Sequence, residues 1–135
     1  MKTFVLDPSA LLALFFDEPG ADRVERLLAQ AAEADRPLLV SAVNWAEVLY
    51  RLAKRIGDRG SRAARDFECT MPIQITPVDR DQAEAAARLK HEKSLGLADA
   101  FAAALAQARK AELVTGDTEF RVLEKDIKIV WLKQP

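Results

Sequence analysis

The chain of 135 residues has one cysteine, one histidine and one tyrosine, with five glycines and six prolines. A lone Cys69 allows no intrachain disulfide framework and fits a reducing compartment, so a cytoplasmic location is expected. A lone His91 excludes any two-histidine metal site and argues against a zinc protease. No apolar run approaches the ~20 residues of a membrane span, so no membrane partner is expected. The start, Met1-Lys2-Thr3-Phe4-Val5-Leu6-Asp7, meets an acid too early for a secretory signal. Twenty Lys and Arg against 21 Asp and Glu leave a net charge of −1, so the molecule as a whole is no polycation. No internal repeat, low-complexity tract or linker breaks the chain, and its length suits one domain over residues 1–135.

What is present is half apolar and 30% charged, the balance of a globular domain. Phe4–Leu6 reads as a first strand. Ser9–Phe16 and Ala21–Ala34 read as helices split by the breaker Glu18-Pro19-Gly20. Leu38–Val40 is a second strand. Ser41 caps a helix to about Arg55, ended by Gly57 and Gly60. Ser61–Thr70 is a fourth helix and Ile73–Thr76 a third strand. Asp79 or Asp81 opens a helix to about Lys93, and Gly96 or Leu97 another to about Lys110. Leu113–Thr115 is a fourth strand, Thr118–Glu124 a short helix and Ile127–Leu132 a fifth strand. Short runs rich in Val, Ile and Leu, alternating with helices, predict an α/β fold. Its central five-stranded sheet is mostly parallel, with helices on both faces. In such sheets the site lies beyond the carboxyl ends of the strands.

Four acids sit where that topology can gather them: Asp7, Glu47, Asp99 and Asp117. Asp7 and Asp117 follow strands, so they converge if strands one and four are neighbours. Each acid alone has a local explanation. Asp7 before Pro8 is a favoured helix start. Asp117 suits a turn or cap. Glu47 can pair with Arg51 four residues on. Asp99 suits the first turn of a helix, but its neighbours Ala98 through Ala106 are almost wholly apolar, which predicts partial burial. Together the four make an oxygen-only cluster without a balancing base, which a hard cation such as Mg²⁺ or Mn²⁺ would neutralise. Ser9 and Thr115 each lie two residues from an acid and can hold a carboxylate or a water. From Arg51 to Arg65 six basic residues, including Lys54 and Arg55, face one acid, Asp58. That strip can meet phosphates or simply be a solvated face. His91 reads as solvent-exposed and Cys69 as a packing residue. The run Ala10–Phe16 is apolar around its full circumference, so something besides the sheet must cover part of it.

The pattern resembles the PIN-domain nucleases, and within them the VapC-type toxins of prokaryotic toxin–antitoxin pairs. The likeness spans essentially the whole chain. It rests on Val5-Leu6-Asp7-Pro8-Ser9, on Ser41 followed by a helix carrying Glu47, on Leu97-Ala98-Asp99-Ala100 with its alanine-rich helix, and on Thr115-Gly116-Asp117-Thr118-Glu119-Phe120. The resemblance implies a PIN-like three-layer sandwich. It implies a Mg²⁺-dependent endoribonuclease in which Mn²⁺ substitutes, with Asp7, Glu47, Asp99 and Asp117 as the catalytic acids. Asp7 and Asp99 are then the firmest metal ligands, with Glu47 and Asp117 acting directly or through water. Some members carry a further acid near the fourth motif, and Glu119, the nearby candidate, is left out of the expected set. The resemblance also implies a structured RNA substrate of the transfer or ribosomal class, a cognate VapB-type antitoxin and a homodimer. Phe15, Phe16 or a neighbouring leucine would then form a floor for the antitoxin. A phosphoacceptor receiver needs paired acids after strand one, and a haloacid-dehalogenase-like phosphatase needs Asp-x-Asp there. Neither pattern is present. The alternatives left are a PIN-like binding module without catalysis and a DNA-directed metal nuclease.

Overall fold

A computed structural model describes residues 2–132. Five strands, β1 (Phe4–Leu6), β2 (Leu38–Ser41), β3 (Ile73–Thr76), β4 (Glu112–Thr115) and β5 (Ile129–Trp131), form one sheet in the order β3-β2-β1-β4-β5. Every pairing is parallel. The sheet is therefore parallel throughout, and β1 and β4 are neighbours in register, Leu6 beside Val114. The six α-helices are α1 (Pro8–Phe15), α2 (Ala21–Ala34), α3 (Ala42–Ile56), α4 (Asp58–Thr70), α5 (Arg80–Lys93) and α6 (Leu97–Arg109). The short helix expected after β4 is a 3₁₀ segment, Thr118–Leu123.

Strand alternation assigns the two faces. Leu6, Leu38, Val40 and Val114 join a core made with α1 to α4, while Val5, Leu39 and Leu113 join one made with α5 and α6. Helix α6 buries Ala100 and the unbroken run Ala102–Ala106. Such small side chains let its backbone approach the sheet closely. The 3₁₀ segment is anchored by Phe120 and Leu123, both fully buried. Truncating Phe120 to alanine is expected to cost about 3–5 kcal/mol, the usual loss for a core aromatic.

Four local expectations are corrected. Gly60 does not end a helix. It lies inside α4, which starts at Asp58, and an added Cβ would stand 2.7 Å from the Leu52 carbonyl carbon of α3. Gly60 therefore permits the close α3–α4 crossing, while Gly57, at φ 68°, makes the break. The fifth strand is shorter than expected, because Ile127 is buried in the loop ahead of it. Cys69 is exposed, so it is not a packing residue. In the run Ala10–Phe16 no side chain is exposed. Phe15 meets Phe67 of α4 at a ring-centroid distance of 5.1 Å, and the Arg55 guanidinium covers the Phe16 ring at 4.0 Å. The run is core closed by α3 and α4, so the expected aromatic floor is already partly occupied by the chain itself. His91 is exposed, as expected.

Candidate active site

The carboxyl ends of β1 and β4 are joined by a hydrogen-bond network. The backbone N–H of Asp7 donates to the Val114 carbonyl, which continues the β1–β4 ladder one residue past the strand. Asp7 then starts α1, with Pro8 at its first position, and its Oδ1 accepts from the Ala10 N–H at 3.0 Å. The capping reading of Asp7 is therefore true, and it is not the whole account. The Ser9 hydroxyl donates to Oδ1 at 2.7 Å and the Thr115 hydroxyl to Oδ2 at 2.6 Å. Ser9 Oγ in turn accepts from the Gly116 N–H, and Thr115 Oγ1 accepts from the Asp117 N–H. Two hydroxyls thus tie the first helix to the β4 exit and orient one carboxylate. Asp7 is 1% exposed. Burial pushes its carboxyl up to about 6 against the pull of these bonds.

Asp99 comes from the opposite layer, in the first turn of α6. A side chain at Gly96 would put its Cβ 3.3 Å from Asp99 Oδ2, so glycine there avoids a tight contact with that oxygen. Partial burial, then the charges of Asp117, Asp7 and Glu119, and a shared hydrogen bond with Glu119, push Asp99 up to about 7. Oxygens of Asp99, Asp117 and Glu119 lie within 4.8 Å of one another. Asp117 caps the 3₁₀ segment by accepting the Glu119 N–H at 2.9 Å. Glu119, the nearby candidate left out of the expected set, belongs to the cluster. Its signals were the further acid that the resemblance places near the fourth motif and the two-residue spacing from Asp117, and its direction becomes readable only once the segment is known to be 3₁₀.

Asp7, Glu47, Asp99 and Asp117 line one open cavity of about 290 Å³, together with Ser9, Gly116, Glu18 and Arg51. Thr115 supports the site from behind through Asp7 and is itself fully buried. Glu18 lies in the α1–α2 turn, and nothing in the sequence marked it. Arg51 is the one basic side chain lining the cavity among the described residues, and it pairs loosely with Glu47, at 3.7 Å. Lys54 and Arg55 lie outside it, exposed on α3, and Arg55 is engaged with Phe16. The strip is thus divided: Arg51 borders the acids and the rest does not.

A hard divalent cation fits this donor set. Oxygens of Asp99, Asp117 and Glu119 are close enough to share one ion, Asp7 and Glu47 line the same cavity, and the like charges there repel one another.

The PIN domain family model matches residues 4–126. The chain belongs to the PIN-domain family. This PIN domain is 30% identical over 124 residues to a VapC ribonuclease of Mycobacterium bovis, covering 87% of this chain and 92% of that one. It is also similar to a chain of a toxin–antitoxin complex from Klebsiella pneumoniae, at a TM-score of 0.70 and 25% identity, covering 98% and 100% of the two chains. VapBC2 from Rickettsia felis, solved with a fragment of its promoter DNA, contains a chain of the same fold, at a TM-score of 0.75 and 18% identity over 95% and 97%. No helix among the described residues is long and apolar enough to cross a membrane.

Proposed function

We propose that this PIN domain is a metal-dependent endoribonuclease, the toxin of a type II toxin–antitoxin pair. One observation carries the reading: four acids from four separate segments line one open cavity. Similarity to a protein named VapC ribonuclease supports the reaction class, and similarity to a toxin–antitoxin complex supports the biological setting.

Asp7 and Asp99 would hold the cation directly, and Glu47, Asp117 and Glu119 would complete its shell directly or through water. Mg²⁺ is the expected ion and Mn²⁺ substitutes. The bound cation supplies a water of lowered pKa and offsets the charge that builds on the phosphodiester. The chain's own residues do the rest. Ser9 and Thr115 hold the Asp7 carboxylate in one orientation. The α1 N-terminus presents amides toward the same negative charge. Arg51 meets a phosphate of the substrate at the cavity wall, and Lys54 and Arg55 extend that contact along the backbone of the RNA. The substrate is structured RNA of the transfer or ribosomal class. A VapB-type antitoxin blocks the cavity by inserting a basic side chain among the acids, and the toxin acts as a homodimer.

The test is cleavage of total transfer RNA and of ribosomes by the purified chain, with Mn²⁺, with Mg²⁺ and with excess EDTA. Cleavage that requires the ion and disappears in Asp99→Asn is expected. Equal cleavage in EDTA would overturn the reading.

A further inference from the structure

We infer that Asn44 is a positioning residue, one that sets how far Glu47 on α3 stands from Asp99 on α6. The inference rests on the metal-nuclease reading and deepens it.

Asn44 is fully buried. Its Nδ2 donates to the carbonyl of Ala98 at 2.9 Å. Ala98 immediately precedes Asp99, and Glu47 follows Asn44 by three residues, on the same side of α3. The bond therefore crosses between the helices at the level of the two acids. Helix α3 belongs to the core on one face of the sheet and α6 to the core on the other. No other side-chain hydrogen bond links these helices among the described residues.

The carboxylates do not hold themselves in place. Asp7 is gripped by Ser9, Thr115 and Ala10. Glu47 has only its loose pair with Arg51, and Asp99 accepts no hydrogen bond from a backbone or hydroxyl group among the described residues. Their separation is therefore set by the backbones that carry them, and Asn44 is the directional tie between those backbones.

Packing alone does not explain an amide at this position. Asn44 Oδ1 is buried with no hydrogen-bond partner. The Ala98 carbonyl, in the first turn of α6, has the helix's own amide four residues on as a partner. A leucine, larger but branched at the same carbon, would extend the apolar face of Val48 and Leu52 on the same helix and would leave no polar atom stranded. What the amide adds is a fixed direction and distance toward α6. Outer residues of this kind commonly change metal affinity by 10–100-fold when they are removed.

The experiment uses Asn44→Leu and Asn44→Ala in the full chain, melted with and without saturating Mn²⁺. Without metal, Asn44→Leu is expected to melt at or above the wild-type temperature. The rise in melting temperature on adding Mn²⁺ is expected to fall by at least half, and the Mn²⁺ affinity roughly tenfold. At fixed Mn²⁺, kcat falls while KM for RNA stays put. A full wild-type rise in Asn44→Leu overturns the positioning role and leaves the nuclease reading standing. Loss of the fold in both variants also overturns it, because the amide would then be holding the core rather than placing the acids. Absence of any Mn²⁺ rise in the wild type would remove the metal reading itself, and this inference with it.

Discussion

Asp7 and Asp99 face the same cavity and are built in opposite ways. Asp7 is buried at a strand end, with both oxygens bonded to neighbours the fold supplies. Asp99 stands half-buried on a helix, surrounded by other acids, with its Oδ2 close against Gly96. Both carboxyls titrate high, but for different reasons. For Asp7 burial comes first, the hydrogen bonds of Thr115, Ser9 and Ala10 oppose it, and the charge of Asp117 adds to the rise last. For Asp99 burial, like charges and the hydrogen bond with Glu119 all push the same way. One acid is finished by the fold, and the other is left for a ligand to finish.

The sharpest break of that comparison is Asp99→Asn against Asp7→Asn. Each is expected to lower kcat by about 10³-fold, equivalent to ~4 kcal/mol at the transition state. Their metal-free stabilities should diverge. Asp99→Asn relieves repulsion and should raise the melting temperature at pH 8. Asp7→Asn turns an N–H toward a hydroxyl that now donates, and should lower it. Equal shifts in melting temperature would erase the distinction.

Thr115→Val asks how much of Asp7 is scaffold. It removes a hydroxyl that donates to a carboxylate and accepts from the Asp117 amide. A loss of about 1.5–3 kcal/mol is expected in urea unfolding, in the range of hydrogen bonds to charged groups. Activity should fall with it, since Asp7 and Asp117 both lose a support. Unchanged stability would mean that the network is incidental to the fold.

The pH dependence sharpens the same contrast in the metal-free protein. Folding raises Asp7 from 3.8 to about 6 and Asp99 from 3.8 to about 7. Between about pH 4 and 7 the native state therefore binds more protons than the unfolded chain. The stability contributed by these groups is present below pH 4, falls as pH rises through the window, and stays low above 7. Denaturant midpoints measured from pH 4.5 to 8 should show the decline. Asp99→Asn should flatten its upper part and Asp7→Asn its lower part. A metal-free curve with the same slope in both variants would show that neither carboxyl causes it.

The smallest effect concerns the cationic strip. Arg51→Ala should reduce the salt slope of RNA binding by about 0.7, one phosphate contact on a single strand. Lys54→Ala should do the same only if the RNA runs past the cavity onto α3. An unchanged slope for both would leave α3 as a solvated face.

The regions differ, too, in how far the sequence revealed them. Asp7 was legible because its cap, its strand and its hydroxyl neighbour Ser9 are all within a few residues. The parallel sheet was legible for a similar reason, since runs such as Leu38–Val40 and Leu113–Thr115 carry their strand character locally. Asn44 and the orientation of Glu119 were not legible. Each depends on a neighbour far along the chain, α6 in both cases. Gly60 was misread as a helix end because glycine punctuates a chain locally, whereas here its missing side chain admits α3.

The sequence by itself determined the periodicities, the breakers and the four acids at the starts of helices and the ends of strands, because short-range sterics and hydrogen bonding act between residues close in the chain. Only the tertiary structure decided that the acids share a cavity, which of their oxygens are already bonded, and how α3 stands against α6. Those distances are set by the pairing of β1 with β4 and by packing across the sheet, where the interacting groups lie 50 to more than 100 residues apart.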